Sequence, residues 1–233
     1  MNQQPVLKVD NLIRLVNQTG DRNLPLSEIT FQVFPGRVTA LTGTSEVGTS
    51  AVMSTVYNSY IPWTGRIIYH ASDGNKINLS LISDSRMSLL RRQEISYVGP
   101  HNSSVPSDTA VQYVAKGLVT KNFNIDHDLA LDKAEDMLDL LNVSQQERRS
   151  PVKKLPIDVR KRVKLARAAI IQPRLLILDE PDDQLSEDEF SAIGKLIALL
   201  KLKRTGILLA CKHRKLMEQL SDMVVKLPEA VTA

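Results

Sequence analysis

The chain has 233 residues, of which 42% are hydrophobic and 24% are charged. This balance is typical of a globular domain with an apolar core, and it excludes the disordered and fibrous classes. Lys and Arg number 30 against 26 Asp and Glu, and so small an excess gives no indication that nucleic acid is a partner.

The single cysteine, Cys211, excludes an internal disulfide and a multi-cysteine metal site. The first residues carry no basic segment followed by an apolar one, and no run approaches the roughly 18 apolar residues of a membrane span. We therefore expect a cytoplasmic protein that meets a membrane only through a partner.

The first part of the chain has the pattern of strands that lead into a phosphate-binding turn. Residues 6–13, 28–34 and 37–41 carry short runs of alternating or clustered apolar side chains, which predict three strands. The third strand runs into the segment 42–50 (TGTSEVGTS), and an apolar helix follows as far as residue 57. A strand, a glycine-containing loop and a helix form the arrangement in which loop amides bind phosphate.

The middle of the chain changes from strands to helices. Residues 65–70 predict a strand, Asp73-Gly74-Asn75 predicts a hairpin turn, and residues 95–98 predict another short strand. The stretch 105–143 is predicted to be helical, with an amphipathic face in its second half.

This helical block defines the predicted domain organisation. We expect a single domain over residues 1–233, in which a helical lobe at about 102–155 is inserted into an α/β core made of residues 1–101 and 156–233.

The second half of the chain alternates helices with strands. Residues 157–171 predict a helix, which ends before Pro173, and residues 175–178 form a continuous apolar run typical of a parallel strand covered on both faces. Helices at 187–202 and 214–221, with strands at 207–211 and 223–226, complete an α/β pattern. The helix predicted at 157–171 carries five basic side chains: Arg160, Lys161, Arg162, Lys164 and Arg167.

The apolar run 175–178 is followed directly by Asp179 and Glu180. Ligands of open α/β sheets bind beyond the carboxyl ends of the strands. An Asp at that place can hold Mg²⁺, and a Glu beside it can orient or deprotonate an attacking water. The plainer interpretation is a core strand followed by a solvated loop; the phosphate-type loop upstream and the basic helix just before the strand favour the functional one.

Taken in order, these motifs resemble an ATP-binding-cassette (ABC) ATPase from residue 6 to residue 226. The run 175–181 (LLILDEP) resembles the Walker B strand, and 162–168 (RVKLARA) resembles the helix that follows the signature peptide. The stretch 57–67 (YNSYIPWTGRI) is similar to the L-type cassette of the phosphonate carbon–phosphorus lyase system, with lipoprotein-release and macrolide-export cassettes as related alternatives.

The resemblance implies a P-loop NTPase-like core with a mainly parallel sheet, an antiparallel β edge and a helical lobe. It implies Glu180 as the catalytic residue and Ser50 with Asp179 as the metal ligands. The nucleotide-binding positions that it implies are Gly43, Ser45, Gly48, Thr49 and Ser50.

The phosphate loop departs from the family pattern Gly-x-x-Gly-x-Gly-Lys-Ser/Thr at two positions of the segment 43–50. Glu46 replaces a glycine, and Thr49 stands where the family has a lysine. A hydrogen bond to a charged group contributes about 1.5–3 kcal/mol, so its loss weakens phosphate binding about 10–100-fold. Arg66 or Lys212 could supply the missing cation instead.

Other family positions are also changed. The signature peptide aligns with residues 155–159 (LPIDV), where Pro156 has no N–H, Ile157 adds bulk and Asp158 repels phosphate. Pro100 stands where the family has the glutamine of the Q-loop, and Leu15 or Val16 stands where it has the adenine-stacking aromatic residue. Ser186 replaces the D-loop aspartate, and Lys212 replaces the switch histidine, with His213 one residue later in the chain.

Three functions follow from this pattern. The first is a non-hydrolysing cassette that serves as a scaffolding or docking subunit for protein partners (another cassette or a complex core), in a phosphonate-related system or a transporter. The second is a working ATPase that powers transport or remodelling. The third, the least favoured, is a module whose basic helix binds nucleic acid or an acidic partner. We expect ATP and Mg²⁺ to bind weakly, if at all.

Overall fold

The computed structural model describes residues 3–14, 28–43, 48–57, 63–99, 106–183 and 185–228. The strands in these segments are β1 (Leu7–Arg14), β2 (Ile29–Val33), β3 (Val38–Thr42), β4 (Trp63–His70), β5 (Lys76–Asn78), β6 (Ile95–Val98), β7 (Leu175–Asp179), β8 (Gly206–Ala210) and β9 (Met223–Lys226). The helices are α1 (Thr49–Val56), α2 (Asp84–Gln93), α3 (Ala110–Lys121), α4 (His127–Leu140), α5 (Gln145–Arg148), α6 (Ile157–Ile170), α7 (Glu187–Leu202) and α8 (Arg214–Leu220).

The strands form one antiparallel and one parallel sheet. The antiparallel sheet has the order β2-β1-β4-β5, and the parallel sheet has the order β6-β7-β8-β3-β9. Every residue of β7 and of β8 is buried, as the continuous apolar run at 175–178 predicts for strands covered on both faces. The predicted fold class, an α/β core with a mainly parallel sheet and an antiparallel edge, is confirmed.

The parallel order brings distant parts of the chain to one edge of the sheet. β7 lies between β6 and β8, with Val98 opposite Leu178 and Ala210 opposite Asp179. The carboxyl ends of these three strands therefore meet, and so do the loops that follow them.

The helical stretch predicted at 105–143 is interrupted in the structure. α3 ends at Lys121 and α4 begins at His127, with Asp126 as its N-cap through a 2.9 Å hydrogen bond to the amide of Leu129. An Asp at this place stabilises a new helix start, so the predicted helical stretch consists of two helices, and the second lies in its amphipathic half. Phe123, in the connection, is 73% exposed.

Two buried arginines tie the helices together. The Arg148 guanidinium forms ion pairs with Glu135 and Asp139 of α4 at 3.0 and 2.6 Å. Arg162 of α6 donates to the carbonyl of Asn142 at 2.5 Å and pairs with Glu189 of α7 at 3.2 Å. One apolar cluster joins α3, α4, α6 and α7 to a face of the parallel sheet. No helix in the described segments is long and apolar enough to cross a bilayer.

The antiparallel sheet contains one close backbone approach. Gly65 has a φ of +110°, and a Cβ added there would lie 2.3 Å from the carbonyl oxygen of Asn11. The register of β1 against β4 shifts at this place, between Asp10 and Ile13, so the glycine accommodates a bulge.

We predict that Gly65→Ala lowers the free energy of unfolding by about 3 kcal/mol, because it combines backbone strain with a steric clash. Gly74→Ala is the matched control, since Gly74 also has a positive φ (+85°) but has no atom within 4 Å of an added Cβ. Its cost should be about 1 kcal/mol. Urea unfolding followed by circular dichroism measures both, and equal losses would contradict the role given to the Asn11 contact.

Candidate functional site

Asp179, the last residue of β7, is the centre of the candidate site. Its side chain is buried, and it accepts a hydrogen bond at Oδ1 from the hydroxyl of Ser50 at 2.8 Å. Its Oδ2 accepts one from the hydroxyl of Tyr97, on the neighbouring strand β6, at 3.0 Å. The structure therefore brings together Ser50 and Asp179, the two predicted metal ligands, and adds a tyrosine that the sequence did not place there.

Tyr97 reaches Asp179 because the residue two positions later is a glycine. A Cβ added to Gly99 would lie 2.1 Å from the Tyr97 hydroxyl oxygen. Burial and the nearby Asp179 raise the pKa of Tyr97, and a hydrogen bond with Ser54 on α1 opposes this rise. The phenol consequently stays protonated at neutral pH and donates to the carboxylate.

Glu180, the residue after Asp179, has a left-handed backbone conformation and forms an ion pair. Its φ is +53°, and the amide donates to the carbonyl of Ala210 at 2.9 Å. Its carboxylate lies 3.3 Å from the Nζ of Lys212, the residue at the position of the switch histidine. Hydrogen bonds with Asp183 and Glu180 raise the pKa of Lys212, so this cation persists beside Glu180 at physiological pH.

Asp182 is fully buried and is satisfied by the loop after β8. It accepts hydrogen bonds from the amides of Lys212 and His213 at 3.2 and 2.7 Å. The Nδ1 atom of His213 lies 2.8 Å from the same carboxylate. His213 is thus a partner of Asp182 and fixes the path of this loop.

Asp183 joins this loop to α6. Its carboxylate pairs with Lys161 and with Lys212, each at 2.8 Å, and Lys161 also donates to its carbonyl. Hydrogen bonds from Lys161 and then Lys212 lower the pKa of Asp183. A continuous chain of charges therefore runs from Lys161 through Asp183 and Lys212 to Glu180.

The described part of the phosphate loop contains four of the five predicted nucleotide-binding positions. Gly43 follows β3, Gly48 is the N-cap of α1, and Thr49 and Ser50 are the first two residues of that helix. No Lys or Arg occurs in residues 48–57. Ser45, with Glu46, lies outside the described residues.

The segment aligned with the signature peptide is an ordinary helix start. Pro156 is the N-cap of α6, Ile157 is 51% exposed, and Asp158 pairs with Arg162 one turn later at 3.1 Å. Of the other aligned positions, Ser186 donates its amide and hydroxyl to Glu189 at the start of α7. Pro100, Leu15 and Val16 lie outside the described residues.

The basic side chains of α6 are largely used inside the protein. Lys161 binds Asp183, Arg162 pairs with Asp158 and Glu189, and Arg167 stacks on Tyr113 with its guanidinium 4.5 Å from the ring centre. These contacts weigh against the third function, since a nucleic-acid site presents its cations to the ligand. Arg66, one proposed substitute for the missing lysine, is exposed on β4, opposite Asp10 of β1.

A carboxylate and a hydroxyl on one side of the sheet are the ligand types that Mg²⁺ accepts, so Asp179 and Ser50 fit such an ion. Among the described residues there is no group of three or more His, Cys, Asp or Glu that could hold a metal. The protein would supply these two ligands, and phosphate oxygens or water would supply the others.

The comparisons with known proteins agree with this geometry. A family model described as ABC transporter matches residues 26–183. The chain is 26% identical over 227 residues to an uncharacterized ABC transporter ATP-binding protein, Rv0986 of Mycobacterium tuberculosis, covering 97% of this chain and 88% of that one. It is 28% identical over 172 residues to the lipoprotein-releasing system ATP-binding protein LolD of Shewanella oneidensis, covering 74% and 71%.

Among solved structures, the dimeric ATP-binding cassette MJ0796 bound to ADP and phosphate superposes with a TM-score of 0.83 at 17% identity, covering 97% of both chains. The cbiO1 subunit of the Clostridium perfringens ABC transporter complex cbiONQ gives a TM-score of 0.74 at 24% identity, covering 99% of this chain and 88% of that one.

We predict that Asp183→Asn destabilises the protein by about 1 kcal/mol at neutral pH, because the pairs with Lys161 and Lys212 are partly exposed. The folded pKa of Asp183 is lowered, so this stability is complete above the unfolded value near about 3.9 and is lost as the pH falls through the folded value. The difference between the variant and the wild type should therefore vanish in strong acid.

Thermal unfolding at several pH values measures this difference. Asp136→Asn, on the exposed face of α4, is the matched control and should show no comparable loss. A loss for Asp183→Asn that stays constant from neutral to strongly acidic pH would contradict the ion-pair interpretation.

Proposed function

Because the chain belongs to the ABC transporter family, we propose that it is the nucleotide-binding subunit of a transporter-type complex, and that its own site does not hydrolyse ATP. The relatives support the first half of this proposal, since they are named as an ABC transporter ATP-binding protein and as the ATP-binding protein of a lipoprotein-releasing system. Partner subunits would then supply the membrane contact.

The observation that carries the second half is the ion pair between Glu180 and Lys212. A general base must present a free carboxylate to the attacking water. Lys212 holds the carboxylate of Glu180 at 3.3 Å and is itself anchored by Asp183. A neutral imidazole at position 212 would form no ion pair with Glu180, whereas the ammonium group of Lys212 competes with water for its carboxylate.

The phosphate side of the site supports the same proposal. Thr49 provides no cation at the start of α1. Charge develops on the γ-phosphate oxygens as they leave, and donors aimed at that charge are usually the largest contribution to catalysis. With Thr49 in this place, a γ-phosphate bound at this chain's own loop lacks the lysine that would stabilise it.

Asp179 and Ser50 would hold a Mg²⁺ ion, which when bound would neutralise charge on the phosphates. The hydroxyl of Ser50 donates a hydrogen bond to one carboxylate oxygen of Asp179, and the hydroxyl of Tyr97 donates one to the other oxygen. Metal binding would replace or share two protein hydrogen bonds, and this supports the expectation of weak ATP and Mg²⁺ binding.

The second candidate is a hydrolysing cassette that powers transport, and the named relatives favour it over a non-hydrolysing scaffold. Ser50, Asp179 and Glu180 are all retained in their places around one edge of the sheet. In this case Lys212 would have to leave Glu180 when nucleotide binds. The two candidates differ in one measurable quantity, the magnesium-dependent release of phosphate.

Two finer proposals remain. The phosphonate carbon–phosphorus lyase branch depends on the sequence of residues 57–67 alone, and the relatives named here give it no support.

The helical lobe at about 102–155 is the part that we propose for partner contact, because α3 and α4 pack on α6 at the side of the core.

We predict that the wild-type chain binds Mg-ATP weakly and releases no phosphate above the rate of Glu180→Gln. Thr49→Lys should increase ATP affinity about 10–100-fold, because it adds a charge-assisted hydrogen bond to phosphate. Thr49→Met, which adds length without charge, is the control. Calorimetric titration and a phosphate-release assay measure both quantities. Turnover by the wild type that Glu180→Gln abolishes would establish the hydrolysing cassette instead.

We also predict that Tyr97→Phe increases Mn²⁺ affinity in the presence of ADP about 2–10-fold, because it removes one competing hydrogen bond from Asp179. Electron paramagnetic resonance of free Mn²⁺ gives the affinity without any need for turnover. Tyr113→Phe, at a half-buried tyrosine that contacts Arg167, is the control. Unchanged or weaker Mn²⁺ binding in Tyr97→Phe would show that the phenol does not compete with the metal.

A further inference from the structure

A second concave site lies at the opposite edge of the parallel sheet, where β6, β7 and β8 begin. Glu94 precedes β6, and Arg174 precedes β7. Lys203 and Arg204 lie in the turn before β8. We call this cavity of about 610 Å³ the amino-end cleft; its other walls come from the chain before β1, the turn after β2 and the ends of α3 and α6. Because Asp179 is the last residue of β7, the full length of that strand separates the two sites.

The side chains that line the amino-end cleft are mostly positive. Four are cations and one is a carboxylate: Lys121, Arg174, Lys203 and Arg204, with Glu94. The carboxylate of Glu94 is occupied, since it accepts hydrogen bonds from the hydroxyls of Tyr69 and Ser72, each at 2.6 Å. Within the described part of the chain, none of the four cations forms an ion pair with a carboxylate.

Three helix ends also lie at the cleft, and they offset only part of its charge. α3 ends at Lys121, and the C-caps of α6 and α7 are Ile171 and Lys203. Each helix end carries about half a negative charge. Four positive charges less one negative charge leave +3 on the lining side chains, so the helix ends offset about half of it. Lys121 serves one of these ends directly, because its ammonium group donates to the carbonyl of Ile171 at 2.6 Å.

Two residues that line the cleft have a backbone conformation that favours glycine. The φ of Gln172 is +48° and that of Arg204 is +62°, and each residue directly follows the C-cap of a helix. Glycine is the usual residue at that place, because a side chain there costs about 1 kcal/mol. The chain therefore accepts a conformational cost at both positions and places a long polar side chain on the wall of the cleft.

The loops that carry these side chains are fixed to each other. The hydroxyl of Thr205 donates to the carbonyl of Pro173 at 2.7 Å, and the amide of Gly206 donates to the carbonyl of Arg174 at 2.9 Å. The Nε atom of Arg174 donates to the carbonyl of His70 at 2.7 Å. The backbone of the cleft is therefore positioned before a ligand arrives, which reduces the entropy lost on binding.

We propose that the amino-end cleft binds a small organic polyanion that carries hydroxyl groups, either a polycarboxylate or a phosphate ester. Guanidinium and ammonium groups bind the oxygens of both kinds of anion. Four side-chain amides that line the cleft can donate to hydroxyl groups or accept from them: Gln3, Gln4, Gln93 and Gln172. The volume of about 610 Å³ is that of a small-molecule site. Because Ser50 and Asp179 take no part, this proposal does not depend on the proposed function.

The test is calorimetric titration of the full chain, without nucleotide, with citrate and separately with fructose 1,6-bisphosphate. We expect saturable binding of at least one. Lys203→Gln and Arg204→Gln, at two exposed positions, should each weaken it about 3–10-fold, because an exposed cation contributes less to a contact than a buried one. Lys133→Gln, which removes an exposed charge from α4, is the matched control and should leave the affinity unchanged.

Thermal unfolding confirms that each variant is folded, and Ser50→Ala separates this cleft from the phosphate loop. Binding that either cleft variant weakens, and that Lys133→Gln and Ser50→Ala leave unchanged, supports the proposal. Tighter binding of citrate identifies a polycarboxylate as the ligand, and tighter binding of the bisphosphate identifies a phosphate ester. No saturable binding of either compound, binding that neither cleft variant weakens, or equal weakening in Lys133→Gln overturns it. A polyglutamate peptide that binds where both compounds fail would likewise overturn it and point to a protein partner.

Discussion

Two buried carboxylates at the end of β7 impose the main constraint on this molecule. Asp179 is 1% exposed and Asp182 is not exposed at all. A charge removed from water is costly unless it is paired or hydrogen-bonded. The chain therefore gathers donors from three other places: Ser50 from α1, Tyr97 from β6, and the amides of the loop after β8. The edge of the sheet is organised around satisfying these groups.

The same donors define what the site can do. In a nucleotide-hydrolysing site, the ligands on the carboxylates are expected to be a metal, water and phosphate. Here protein hydroxyls occupy Asp179, and an anchored ammonium group occupies Glu180. The arrangement ties the loops that follow β7 and β8 to each other and to α1 at this edge of the sheet.

Most of the fold could be predicted from the sequence because its cues are local. The apolar run at 175–178 predicts a strand buried on both faces, and β7 is one. The stretch 105–143 was predicted to be helical, and it contains α3 and α4, the second of which begins after its N-cap Asp126. Ser50 and Asp179 were predicted as a pair from the motif order. Tyr97 was not, because nothing in the sequence states that β6 is the neighbour of β7. The sequence identified position 212 only as the place where a lysine replaces the switch histidine of the family. The ion pair of Lys212 with Glu180 could not be predicted, because it depends on how the loops after β7 and β8 meet.

The contact between Gly99 and the Tyr97 hydroxyl has a consequence for substitutions at both positions. Because an added Cβ would overlap the phenol, a larger residue at position 99 requires the Tyr97 ring to move away from Asp179, which leaves a buried carboxylate with one donor fewer. A substitution at position 97 that removes the phenol also removes this conflict, so the effects of substitutions at the two positions are expected to be non-additive.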